Sequence, residues 1–276
     1  MILSAAFLVV AQPASAAAPI HPVESAAPAP FDRPLALPDD AVAYVPSSAG
    51  PHPPLLVLLH GAGRTRMWMI DHFRAQADKR GILLLAPTSL GATWDAISAA
   101  QESRSPGSAL AERMGHRYGG SRDSRRVDAA IANLAKLVPF DLSRVVLAGF
   151  SDGATFALAM GMARSQHFSA VIAWSPGIAI ETSQPARGRR VFVSHGRSDP
   201  VLSYSTDCGE IVPLLQGEGA NVTFLPFDGV HEVPETAKDI FLDAAFGPVS
   251  GAPPHPLPTG EAACNAKPGS REIPVY

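Results

Sequence analysis

Serine, histidine and aspartate fall in this chain at positions from which, together, they could transfer an acyl group. Gly149-Phe150-Ser151-Asp152-Gly153 has the form Gly-x-Ser-x-Gly. An unaided serine hydroxyl is a weak nucleophile. It needs a base within hydrogen-bond reach and a third group to orient that base. The string alone is a weak pointer in a chain with 23 glycines, but its setting is specific. The apolar run 145–148 leads straight into it, and the helix-forming stretch 154–160 follows. A sharp strand-to-helix turn would push the Ser151 hydroxyl out at the sheet edge. The helix N-terminus behind it offers N–H groups and a dipole that favour a developing oxyanion. The Asp152 main-chain N–H is one expected donor. The plainer alternative is a serine capping a helix, with the glycines serving a tight turn.

Asp199 and His231 are the candidate partners of Ser151. Asp199 follows the apolar run 191–193, within His195-Gly196-Arg197-Ser198-Asp199-Pro200. His231 follows the run 222–227, within Asp228-Gly229-Val230-His231-Glu232. Ser151 and Asp199 are 48 positions apart, Asp199 and His231 32. Each interval accommodates a strand–helix unit, so all three loops can meet on one sheet edge. Asp207, Glu210 and Asp228 compete for the acid role, and Asp228 stands so close to His231 that a turn suits it better. His195 is expected to shape the loop that carries Asp199. His60-Gly61-Ala62-Gly63, after the run 55–59, is a glycine-rich turn placed to supply a second oxyanion N–H from Ala62. Trp94 and Trp174, each at the end of an apolar stretch, are candidate substrate-binding residues. Core packing is the competing reading for both.

The elements that must position these residues read as alternating strands and helices. The 276 residues are 46% hydrophobic and 17% charged, with a formal net charge of -3. That excludes a disordered chain and gives no field to attract nucleic acid. Two cysteines cannot form a zinc cage by themselves. Pure apolar runs such as 55–59 suit strands buried on both faces. Strands are expected at 55–59, 82–86, 145–148, 171–174, 191–194 and 222–227. Helices are expected at 67–80, 124–137, 152–164 and 238–246. A mostly parallel α/β sheet with helices on both faces follows.

The flanks differ from this centre. Residues 1–16 are apolar and end in small residues, as a secretory signal peptide does, although no Lys or Arg precedes the run. A secreted or periplasmic location is expected. Residues 17–34 read as a Pro/Ala-rich lead-in and 247–276 as a Pro/Gly-rich tail, leaving 35–246 as the catalytic domain. The polar, Arg-containing stretch 98–122 is a surface excursion and a candidate lid. In an exported chain Cys208 and Cys264 could form a disulfide or stay as two thiols. No membrane-spanning segment is expected in the mature chain, and oligomeric state is not legible.

The spans Leu58-Leu59-His60-Gly61-Ala62-Gly63, 149–157 and 195–199 resemble bacterial phospholipase/carboxylesterase-type enzymes of the α/β-hydrolase superfamily. Thr93-Trp94-Asp95 and Ala173-Trp174-Ser175-Pro176-Gly177 are similar to segments of those esterases. Dienelactone hydrolases, acyl-thioesterases and polyester depolymerase-like esterases are neighbours. The resemblance implies Ser151 as nucleophile, His231 as base, Asp199 as acid, and oxyanion N–H groups from Ala62 and Asp152. It implies no metal and no cofactor, and a small-molecule, lipid or polymer ester as substrate. The rival readings are a peptidase or thioesterase of the same fold, and a non-catalytic binding protein that kept it.

Overall fold

The computed structural model describes residues 33–63, 65–98, 121–164, 166–179 and 187–257. The signal-like segment, most of the lead-in, residues 99–120 of the polar excursion, and Cys264 with the end of the tail lie outside the described residues.

Among the described residues, eight strands form one sheet. They are β1 (Leu35–Leu37), β2 (Ala41–Tyr44), β3 (Leu55–Leu59), β4 (Leu83–Ala86), β5 (Val145–Phe150), β6 (Ala170–Trp174), β7 (Arg190–Gly196) and β8 (Asn221–Phe227), in the spatial order β1-β2-β4-β3-β5-β6-β7-β8. From β4 to β8 every pairing is parallel; β1 and β2 run antiparallel at one edge. Among the described residues, the α-helices of six residues or more are α1 (Arg66–Arg80), α2 (Arg122–Ala135), α3 (Asp152–Ala163), α4 (Val212–Gly217) and α5 (Glu235–Phe246).

Alternation along β3 shows why its sequence carries no polar residue. Leu55, Val57 and Leu59 face one apolar cluster, with Val127 and Leu134 of α2 and Phe156 of α3. Leu56 and Leu58 face the other, with Ile70 and Phe73 of α1 and Phe241 of α5. Both sheet faces are therefore covered, as parallel sheets require. Each fully buried leucine contributes about 1.5–3 kcal/mol of transfer free energy.

Local chemistry sets the helix ends. The Ser121 hydroxyl accepts from the Ser124 N–H and caps α2, so that helix starts two residues before the expected 124. Gly81 closes α1 in the left-handed region, with Lys79 and Arg80 in the last turn. The pair β1–β2 was not expected. Its strands have three and four residues, too short for alternation to register.

Candidate active site

Ser151 lies between β5 and α3 with φ 58° and ψ −123°, a strained conformation for a residue with a Cβ. Close packing holds it there. A Cβ on Gly149 would stand 2.1 Å from the Gly153 carbonyl oxygen, and one on Gly153 would stand 2.2 Å from the Leu59 carbonyl oxygen. No side chain fits at either place. The Ser151 N–H donates to Trp174 O at 2.9 Å, and Ser151 O accepts from the Ala154 and Thr155 N–H groups. The β-strand, the first turn of α3 and the neighbouring strand β6 thus all fix one residue.

His231 Nε2 stands 2.9 Å from Ser151 Oγ, and His231 Nδ1 stands 2.7 Å from Asp199 Oδ2. The carboxylate can only accept, so Nδ1 carries the hydrogen. The Nε2 lone pair then accepts a hydrogen bond from the Ser151 hydroxyl. The other Asp199 oxygen, Oδ1, accepts from the Val201 and Leu202 N–H groups at 2.8 and 2.9 Å. Burial alone would raise the Asp199 carboxyl. Hydrogen bonds from Leu202 N–H, His231 and Val201 N–H outweigh it and hold the group below the ordinary carboxylate value. The Asp199 side chain is fully enclosed, whereas His231 is 15% exposed. Two main-chain bonds, Arg197 N–H to Phe227 O and Ser198 N–H to Gly229 O, lock the Asp199 loop to the His231 loop.

All four loops leave the C-terminal ends of parallel strands: Gly61 after β3, Ser151 after β5, Asp199 after β7 and His231 after β8. A Cβ on Gly61 would lie 3.2 Å from Ser151 Cβ, so the 60–63 turn adjoins the serine. The Gly63 N–H donates to Ala92 O and steadies that turn. Asp152 opens α3, where an amide has no partner one turn back. Its carboxylate accepts from Thr93 Oγ1 at 2.6 Å. His60 is buried; its Nε2 accepts from the Ser89 N–H, which leaves Nδ1–H for the Gly61 carbonyl.

The two tryptophans are a correction. Trp94 and Trp174, expected as candidate pocket walls, are fully buried. Trp94 stacks on Phe156 and donates from Nε1 to His60 O. Trp174 packs against Phe73 and Phe241. An apolar run says where a strand ends but not which way its last large ring turns. The aromatic surface near the serine comes from residues the sequence reading passed over. Phe150 lies against the His231 ring at 4.7 Å, and Trp68, 40% exposed, lies against Phe150 at 5.5 Å. Phe150 could have been found as the residue before the motif serine; Trp68 carried no local signal.

The rejected acids are elsewhere occupied. Asp228 is exposed beside Arg197, and Asp207 bonds His195. No group of three or more His, Cys, Asp or Glu among the described residues could hold a metal ion, and no described helix is long and apolar enough to cross a membrane.

Residues 117–237 match the phospholipase/carboxylesterase family model. The sheet aligns with solved α/β-hydrolase structures: the acetyl xylan esterase of Aspergillus awamori (TM-score 0.55, 17% identity, 78% of this chain and 98% of that one) and the Bacillus cereus carboxylesterase (TM-score 0.53, 18% identity, 75% and 94%). This chain has the α/β-hydrolase fold. Among curated proteins, this chain is 27% identical over 173 residues to a bifunctional acetylxylan esterase/xylanase of Neocallimastix patriciarum. The match takes in 60% of this chain and 22% of that longer relative.

Proposed function

We propose that the chain is a serine carboxylic-ester hydrolase working through an acyl-enzyme. The observation that carries this reading is the hydrogen-bonded line from Ser151 Oγ through His231 to Asp199, set at a strained strand–helix turn. His231 Nε2 takes the hydroxyl proton as Ser151 Oγ attacks the ester carbonyl carbon. The carbonyl oxygen becomes an oxyanion, stabilised by the Ala62 and Asp152 N–H groups. Collapse breaks the C–O bond, and His231 returns its proton to the departing alcohol. Water then attacks the acyl-enzyme with His231 again as base, and the acid leaves. Asp199 keeps the His231 tautomer and stabilises the imidazolium as it forms.

Two similar proteins are named as acetylxylan esterases, which supports a short-acyl ester as substrate. The chain is also proposed to be exported. The apolar start at 1–10 supports that location, and so does the disulfide at Cys208, since cytosolic thiols stay reduced. In the test, purified protein is assayed on p-nitrophenyl esters of increasing acyl length beside p-nitroanilides and acyl-thioesters. The expected result is fastest turnover on acetyl or propionyl esters, and a loss of about 10³-fold or more in Ser151→Ala. Undiminished ester hydrolysis in Ser151→Ala would overturn the assignment. Preference for the anilides or thioesters would replace ester hydrolysis with the corresponding rival.

A further inference from the structure

Behind Ser151, His231 and Asp199 lies a second histidine–aspartate pair that the steps above do not use. His195 is near the end of β7, and Asp207 is on the π-helical turn Asp207–Ile211; both side chains are fully buried. His195 Nδ1 is 2.9 Å from Asp207 Oδ2. His195 Nε2 is 3.1 Å from Leu202 O and 3.0 Å from Asp199 Oδ2. That Asp199 oxygen is the one bonded by His231 Nδ1.

Proton counting decides the state of this ring. A lone pair on Nε2 would face a carbonyl oxygen and a carboxylate oxygen, both electron-rich, with no donor between them. Nε2 must therefore carry a hydrogen. One further proton is then shared by Nδ1 and Asp207, as imidazolium with carboxylate or as imidazole with carboxylic acid. Burial pushes Asp207 up to about 6, and its second oxygen, Oδ1, is buried with no partner. For His195, burial pulls downward, but the Asp207 and Leu202 bonds prevail and leave it raised. Both directions keep the proton on the pair. The remaining polar neighbour is Tyr204, which presents its ring edge to His195; its hydroxyl accepts from Arg197, which in turn pairs with Asp228. His231 faces the pair only through Asp199.

Taking the relay of the previous subsection as given, we propose that His195 is a positioning residue for Asp199. Its ring, bonded through Nε2–H to Leu202 O and through Nδ1 to Asp207, stands 3.0 Å from Asp199 Oδ2 and fixes the carboxylate that orients His231. Asp199 thus accepts two main-chain amides on Oδ1 and the His231 N–H on Oδ2, where the His195 ring also stands 3.0 Å away. Without the His195 ring, Asp199 Oδ2 loses one of its two neighbours, and the carboxylate holds more negative charge against the His231 imidazolium. A displacement of about 1 Å at such a site can cost about 10²-fold in rate.

The experiment compares His195→Leu, which has no donor, with His195→Gln, whose amide nitrogen reaches the Nε2 position. Both are assayed on p-nitrophenyl acetate across pH, beside wild type and Ser151→Ala, with melting temperatures recorded. The expected result for His195→Leu is a kcat lowered about 10- to 10²-fold at nearly unchanged KM, with the acid limb of kcat/KM moved to higher pH. His195→Gln should restore most of the rate and return the limb. If both variants fold and keep wild-type kcat and an unmoved limb while Ser151→Ala is silent, the positioning role is wrong and the relay stands. Equal losses in both variants at equal melting temperature would assign the effect to packing and also overturn it. Spectra of the wild-type protein with ¹⁵N-labelled histidine rings test the premise without activity or mutation of function. The His195 signal, assigned by its absence in His195→Gln, should show a protonated Nε2 from pH 6 to 8. A bare Nε2 there overturns the proposal even if His195→Leu does not fold and whatever Ser151→Ala does.

Discussion

Ser151 occupies a backbone conformation that few residues with a Cβ adopt, and the two glycines beside it keep it there. Gly153 touches the carbonyls of Leu59 and His60 so closely that a methyl group has no room. Gly153→Ala should therefore destabilise the protein by about 1–3 kcal/mol or more, read from urea midpoints, and lower esterase activity further as the elbow shifts. A variant as stable and active as wild type would contradict the close-packed account of the turn. At this scale much of the site was legible in the sequence. Ser151, Asp199 and His231 each follow an apolar run, and a run that ends at a polar loop marks the C-terminal edge of a parallel strand. The direction of a buried ring is not legible in a sequence: Trp94 and Trp174 suit a pocket wall or the core alike, and the structure puts both in the core. His195 was read as shaping its loop. The sequence separates it by four positions from Asp199, but only the fold shows that its ring also reaches Asp207.

Elements are tied together by a few buried charges as well as by apolar contact. Arg80 at the end of α1 reaches Asp239 and Asp243 of α5 at 2.8 and 2.7 Å, and His255 Nδ1 bonds Asp243 at 2.6 Å. The Arg80 and Asp243 side chains are each only 3% exposed. Burial alone would raise the Asp243 carboxyl, but bonds from His255 and Arg80 prevail and hold it below its ordinary value. The folded state therefore binds fewer protons here than the unfolded chain in mild acid. The stabilisation is complete above the ordinary carboxylate pKa of about 4 and is lost as pH falls through the lower folded value. Asp243→Asn leaves a buried guanidinium short of a charge partner and should cost about 3 kcal/mol at pH 7. In urea unfolding, the difference from wild type should shrink toward pH 3; a pH-independent difference would contradict the linkage. The regular elements were readable to within a few residues because their runs are long and apolar. The β1–β2 edge pair and the helical turns of 204–217 were not, since the first is too short and the second carries polar residues, Gly209 and Pro213.

For the whole molecule, sheet order and coverage place every loop of the site on one rim, and one covalent bond adds to that frame. Cys208 is disulfide-bonded, and Cys264 is the other cysteine of the chain. The bond leaves from the π-helical turn that also carries Asp207. Intact mass should rise by two protons on reduction, and alkylation without reductant should add nothing. Reduction should cost about 2–4 kcal/mol of stability. Two alkylated thiols in unreduced protein would remove the bond and with it one support for export.

Covalent labelling tests the central claim most directly, because it asks which atom attacks. The protein is treated with a fluorophosphonate, digested, and the adduct located by mass spectrometry, for wild type and for His231→Ala. The expected result is a single stoichiometric adduct on Ser151, formed far more slowly without the His231 imidazole. An adduct on another residue, no adduct at all, or equal rates in the two proteins would contradict it.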